Sequence, residues 1–531
     1  MTSRTRLLVA GSVTAAVALA AAGMGVANAA TDPPPLAFTL ATPNVIAERY
    51  VYEDGQAFTY LDLGVHVIAG KDPLEIRATR KSYADPIVAK QVVTKNGKKK
   101  NVKLPAGMVT DWNGLKDFTT VVIKDAAGKE VRNYKTDFCP NDYSSARTRR
   151  DAPAETPYPR SCYGSNPFNL GMVYGIQAGW NAQTASMPAW DWSQDLPEFD
   201  IPTGVYTATV TLNPAYQQFF KIGAEASTLQ VNVTVEEQDR GEGVAAAAAK
   251  VKATQLGEDT TEAAAVAEHG EHGGQGDASL QVSAYKPEFR PPAKKPKAVK
   301  ATRIPKGPRP DLRSLPAWGI SLSQEDEKWF VNFGATVWNG GTSPLLVDGF
   351  RQTGTELMDA YQYFFDASGK EVGSVEAGTM EWDAREGHRH WHFTDFAQYN
   401  LLAADQKLAV RSGKEAFCLA NTDAVDYTLP NAKWRPENTD LSSSCGANTA
   451  VAVREVLDIG NGDTYTQARP GQSFEITDLP NGTYYIEVKA NPANKLTELN
   501  TKNNSALRQI VLGGTETERT LEVPPVNGIT G

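Results

Sequence analysis

Histidine and cysteine are the scarce residues of this 531-residue chain, at six and four. Four cysteines are too few to make a disulfide scaffold of a chain this long. Positive charge is not in excess: 53 Lys and Arg against 62 Asp and Glu leave a net charge of -9 with histidine neutral. That balance excludes a globally basic nucleic-acid binder. Beyond the first thirty or so residues there is no long apolar run, so nothing later in the chain reads as a membrane-spanning helix. With 41% hydrophobic and 22% charged residues the bulk is globular rather than disordered.

What the chain does have begins with a targeting segment. Arg4 and Arg6 precede an apolar, Ala-rich stretch from Leu7 to Ala22, and Ala27-Asn28-Ala29 is a small-x-small cleavage site. Residues 1–29 therefore read as a signal peptide, and the mature protein as secreted, extracellular and without a membrane span. That compartment permits disulfides. Forty-four Gly, 32 Pro, ten Trp and 19 Tyr suit a β-rich protein with many turns. The fold class expected is all-β: two β-sandwich-like domains, over 30–236 and 310–514, with a polar tail over 515–531. Between them, residues 237–309 run through an Ala tract, a Gly-rich patch and a Pro/Lys stretch, the composition of a disordered linker. From Lys294 to Arg309 the linker carries seven cations and no acid. A solvated spacer is the plain reading, and association with an anionic cell wall the functional one.

The two domains repeat each other. Asp200-Ile-Pro-Thr-Gly-Val-Tyr206 returns as Asp478-Leu-Pro-Asn-Gly-Thr-Tyr484, an offset of 278, and Asp117-Phe118 returns as Asp395-Phe396 at the same offset. Phe138-Cys139 matches Phe417-Cys418. An internal duplication explains three blocks at nearly one spacing. It also pairs the cysteines within each copy, Cys139 with Cys162 and Cys418 with Cys445. Each half then has its own core and staple, so cleavage of the linker is expected to free two folded pieces.

Three of the six histidines fall at His388, His390 and His392. On a strand such spacing puts all three imidazoles on one face, where they can close on one metal ion. Imidazole suits copper, zinc, iron and nickel alike. Asp395 follows, either as a turn acid or as a group that orients a ligand or takes a proton. The first copy has Thr110, Trp112 and Gly114 at the positions of the triplet, so the metal chemistry belongs to the second.

The second domain resembles the catalytic domain of the lysyl oxidase family. The resemblance rests on Glu381-Trp382, His388-x-His390-x-His392, Asp395-Phe396 and Tyr399-Asn-Leu401. It extends to Pro310-Asp311-Leu312, Gly413-Lys414, Phe417-Cys418-Leu419, Asp463-Thr464-Tyr465, and Glu498 through Asn503-Asn504. It implies copper on the three histidines and a lysine tyrosylquinone built from Lys414 and Tyr465. It also implies a calcium site from Asp311, Asn500 and Asn503. In the first copy Lys135 survives before Phe138-Cys139, but Met187 stands at the Tyr465 position, so no quinone can form there. Two departures bear on the substrate surface: this domain has two cysteines where animal members have many more, and Asp383 to Gly387 lengthens the approach to the triplet.

The function so implied is a secreted copper- and quinone-dependent amine oxidase. It would turn primary amines, peptidyl lysine or small diamines, into aldehydes with release of hydrogen peroxide and ammonia. The acidic chain attracts cationic amines, weakly at physiological salt. The rival readings are a copper-binding cell-wall or matrix protein that uses the same fold without turnover, and a zinc site.

Overall fold

The computed structural model describes residues 35–52, 55–95, 98–188, 199–238, 304, 306–352, 354–384, 390–412, 416–435, 445–467 and 473–530. The signal peptide and nearly all of the linker fall outside these residues, as do His388 and Lys414. The regular structure of the described residues is almost all strand, with one short helix at Pro214–Phe220 and one 3-10 turn at Ala224–Ala226. The first domain has sheets of three, four and six strands, and the second has sheets of six, six and five.

The duplication is visible strand by strand. In the first domain Glu130–Phe138, Leu115–Asp125, Gly204–Leu212 and Thr228–Glu237 lie side by side in that order. In the second, Leu408–Arg411, Ala397–Ala403, Gly482–Ala490 and Ser505–Gly514 take the same order. Apolar and polar residues alternate along the central strands, so one face is buried and the other is left to solvent. Small details repeat as well. The Tyr206 hydroxyl donates to Pro202 O at 2.7 Å and the Tyr484 hydroxyl to Pro480 O at 2.9 Å. Asp117 and Asp395 both adopt a left-handed φ, 51° and 61°, each beside a lysine partner: Lys135 at 2.8 Å and Lys495 at 2.5 Å. Both cysteine pairs are bonded within their own copy, each with Cα atoms 5.9 Å apart. The stretch read as a tail adds a strand instead. Arg519–Glu522 pairs with Ser505–Gly514, and the Arg519 guanidinium donates to Ile476 O and Leu479 O at 3.0 and 2.5 Å.

The two domains are not independent bodies. One sheet of the second domain contains Leu312–Ser314, Lys328–Asn339, Asn461–Gln467 and Asp423–Ala424. Its front, with Phe333, Ala335, Val337 and Tyr465, faces that domain's own core. Trp338, on its back, packs with Leu315 and Val425 around Phe168 of the first domain, which is fully buried. Burying one such aromatic contributes on the order of 2–3 kcal/mol. Ala424 and Tyr427 belong to the first domain's core cluster, and Trp434 stacks on Tyr158 at 6.1 Å. The Arg508 guanidinium lies 5.6 Å from the Phe168 ring.

Backbone bonds cross the boundary too. The amides of Leu170 and Gly171 donate to Val425 O at 2.7 and 3.1 Å, and the Tyr427 amide donates to Gly171 O at 2.9 Å. Glycine is required there, because a Cβ on residue 171 would sit 2.2 Å from Asp426 Oδ1. This interface changes the expectation drawn from the linker. Cutting an introduced protease site between residues 239 and 303 should leave both halves eluting as one species on size exclusion. Gly171→Ala should lower stability by about 1–3 kcal/mol in denaturant unfolding, from overpacking at the boundary. Halves that separate freely once cut would show that the interface does not hold them.

Candidate active site

The histidine strand, His390–Thr394, is the last full strand of a six-stranded sheet. It pairs with Glu371–Asp383 in the register Asp383 with His390, Trp382 with Trp391, Glu381 with His392 and Met380 with Phe393. Alternation along the strand divides its side chains. Trp391 and Phe393 enter the core with no exposed surface. His390 and His392 share the other face, with ring centroids 4.6 Å apart. His392 is 1% exposed, and its Nδ1 lies 3.5 Å from Asp383 Oδ2. An acid on Nδ1 leaves Nε2 as the nitrogen that presents its lone pair to a metal.

Tyr465 sits on a different sheet, at the front of the strand Asn461–Gln467, the tyrosine strand. Its ring meets the edge of Phe417 at 4.9 Å, and Phe417 is the cross-strand partner of Phe393. Tyr465 therefore lies on the Phe393 side of the histidine strand, while the imidazoles project to the opposite side. The disulfide joins the two strands. The Tyr465 hydroxyl donates to Cys418 O at 2.5 Å, and the Trp391 amide donates to Cys445 O at 3.0 Å.

The surroundings of Tyr465 are acidic and dry. Burial is the main force holding its phenol well above the ordinary tyrosine range, and the neighbouring Asp463 and Glu455 carboxyls add to it. Glu455 is fully buried. Burial pushes its carboxyl up, against the Leu419 amide that donates to Oε2 at 3.0 Å, and Asp463 pushes it further. Tyr465 is accordingly kept as a neutral phenol. The flanks of Lys414 are fixed on both sides: the Ser412 amide donates to Tyr399 O at 3.1 Å, and Ala416 pairs with Thr394.

Comparison with known proteins bears on the same residues. Residues 362–520 match the lysyl oxidase family model. This chain carries a lysyl oxidase domain. Mouse lysyl oxidase homolog 4 is 28% identical over 130 residues, covering 24% of this chain and 15% of its own length. Pig protein-lysine 6-oxidase is 31% identical over 125 residues, covering 23% of this chain and 44% of its own. The human protein of that name is also 31% identical over 125 residues, 26% of its length. The chain thus spans less than half the length of these relatives.

Within the lysyl oxidase domain the sequence-derived residues fall into place unevenly. His390 and His392 share a face, as their spacing requires. Among the described residues no three His, Cys, Asp or Glu side chains gather around one point, and His388 lies outside those residues. Asp395 occupies a left-handed turn and is bound by Lys495, so the acid beside the imidazole is Asp383. Asp311 and Asn503 do meet, with Asn503 Nδ2 3.2–3.3 Å from the two carboxylate oxygens. Arg313 also contacts Asp311, at 2.7 Å. Asn500 does not join them: it is exposed and caps its own turn through the Lys502 amide. Glu498 is drawn in near Asp311 instead, accepting from the Leu312 amide at 2.9 Å and from Asn491 and Asn504.

Sequence reasoning missed Asp383 and Glu455. Asp383 lies seven positions before His390, and only the antiparallel pairing brings it back. Glu455 could have been found, because it stands between Val453 and Leu457 on the apolar face of an alternating strand, where an acid is out of place. Replacing Cys418 and Cys445 together by Ser should cost roughly 3 kcal/mol of stability in denaturant unfolding. It should also raise the mobility of the Tyr465 ring, read by its fluorescence anisotropy. A pair variant with wild-type stability would mean that the disulfide does not fix the site.

Proposed function

We propose that this protein is a copper- and quinone-dependent amine oxidase that converts the primary amines of lysine side chains or small diamines into aldehydes. The single observation that carries this reading is the clamp between the Cys418–Cys445 disulfide, the tyrosine strand and the histidine strand. It ties Tyr465 and the strand that bears His390 and His392 to one cross-link. Protein-lysine 6-oxidase is the name of several relatives, and lysine is taken as a substrate class from that likeness.

The residues fit the groups the family implies. His390 and His392, with His388, supply imidazole donors suited to copper, and Asp383 orients His392. Tyr465 and Lys414 are the pair that would form lysine tyrosylquinone. Bound copper would supply the redox chemistry that oxidises the Tyr465 ring, and the quinone the electrophilic carbonyl and two-electron sink for an amine. The chain's own residues do the rest. The Cys418 carbonyl holds the Tyr465 hydroxyl and with it the plane of the ring. Phe417, Phe396 and Tyr399 pack as an aromatic wall that keeps water from that ring. Glu455 and Asp463 place two carboxyls near the phenol, and burial holds the Glu455 carboxyl above the ordinary carboxylate range. The overall reaction balances as amine, dioxygen and water going to aldehyde, ammonia and hydrogen peroxide. Secretion follows from the signal segment and is part of this proposal, as is calcium held by Asp311 and Asn503 with Glu498 close by.

Copper-loaded protein should release peroxide from a panel of primary amines, stoichiometrically with aldehyde. Tyr465→Phe should abolish release, by at least about 10³-fold, while retaining copper, because a phenyl ring has no oxygen from which a quinone can grow. Asp383→Asn should weaken copper binding by about 10- to 100-fold in a chelator competition. Full copper occupancy without peroxide from any amine would favour the non-catalytic matrix protein, and selective uptake of zinc the zinc site.

A further inference from the structure

The back of the tyrosine strand is where the first domain reaches the chemistry. Asn166 is fully buried at the domain boundary. Its Oδ1 accepts the Phe168 amide at 2.9 Å, which settles the orientation of the side-chain amide. Nδ2 is thereby turned to Thr336 Oγ1, also at 2.9 Å. The Trp318 indole N–H approaches the same oxygen at 3.3 Å. Thr336 Oγ1 lies 2.6 Å from Thr464 Oγ1.

A hydroxyl has one hydrogen and two lone pairs. Asn166 and Trp318 take both lone pairs of Thr336, so its hydrogen must go to Thr464. Thr464 then has its own hydrogen to pass on. On the adjoining strand side, the Thr464 amide donates to Thr422 Oγ1 at 2.8 Å, and Thr422 Oγ1 lies 3.0 Å from Oδ2 of the buried Asp423. The direction of the whole chain is fixed by the one member that cannot reverse, the Asn166 amide. Thr464 and Tyr465 are adjacent on one strand and point to opposite faces. A shift at the back is therefore a shift at the ring, and misplacing a reacting group by about 1 Å costs about 10²-fold in rate.

We propose that Asn166 of the first domain is a positioning residue for Tyr465, setting the hydrogen-bond chain from Asn166 through Thr336 to Thr464 that pins the tyrosine strand. The first copy, which lost the metal and quinone residues, is thus part of the oxidising unit. This inference rests on the reading of Tyr465 as the quinone precursor.

The test uses the full chain. Asn166→Asp keeps an acceptor for the Phe168 amide, but its carboxylate cannot donate to Thr336, so the chain loses its direction. Thr464→Val removes the next link at similar volume, and Thr464→Ser keeps the hydroxyl. Copper-loaded Asn166→Asp and Thr464→Val should each form the quinone absorbance about 10- to 100-fold more slowly at unchanged copper content, and Thr464→Ser should restore most of the rate. The double variant should be no slower than Thr464→Val alone. A wild-type rate in either single variant, or effects that multiply in the double, would overturn the proposal. Wild-type protein that forms no quinone would instead defeat the reading of Tyr465. The chain would then be judged by denaturant unfolding of the same four proteins, where non-additive losses support it and additive losses sink it.

Discussion

Two sheets of the second domain meet at a disulfide, and the rest of the site depends on what its two carbonyls hold. Cys418 O receives the Tyr465 hydroxyl, and Cys445 O receives the amide of Trp391, between the two described histidines. A disulfide with Cα atoms 5.9 Å apart leaves little play between those carbonyls. The strand that offers imidazoles and the strand that offers a phenol are therefore tied to one cross-link, although they belong to different sheets. The aromatic ladder from Phe393 through Phe417 to Tyr465 fills the space between them.

That arrangement makes the phenol unusual in its electrostatics rather than in its packing. A tyrosine against two buried carboxyls, with its hydroxyl on a backbone carbonyl, resists ionisation. The same burial discourages both carboxyls from being charged together. Of the two, the Glu455 carboxyl is pushed above the ordinary carboxylate range by burial. The two halves of the site lie on opposite sides of the histidine strand.

Much of the fold was legible in the sequence because strands announce themselves locally. Alternation over Val205–Thr211 and Leu229–Val235 marks two strands, which the structure extends to Gly204–Leu212 and Thr228–Glu237. The offset of 278 between the two Gly-turn blocks predicted the repeated strand order, and with it both cysteine pairs. The shared face of His390 and His392 follows from a period of two. What stayed hidden depends on contacts between residues far apart. Asp383 reaches His392 only through a particular register. Glu455 reaches Leu419 from another strand, and Asn166 reaches Thr336 across 170 positions. Composition suggested a tail where Arg519 in fact anchors a strand, because four residues with a single apolar one, Leu521, carry too weak a pattern to be read as a strand. The linker suggested separable halves. Nothing in its residues could show that Phe168 and Tyr427 cross the boundary.

The duplication left two copies of one frame with unequal roles. The second carries the histidine triplet, Lys414 and Tyr465, and the first has a core that covers the back of the sheet carrying Tyr465. The claim at the centre of this account is that Tyr465 becomes a cofactor by joining Lys414. Peptide mapping of copper-loaded protein by mass spectrometry tests it most directly. The account predicts one cross-linked species that joins the peptide containing Lys414 to the peptide containing Tyr465, absent when copper is withheld. Recovery of both peptides separately and unmodified from fully copper-loaded protein would contradict it.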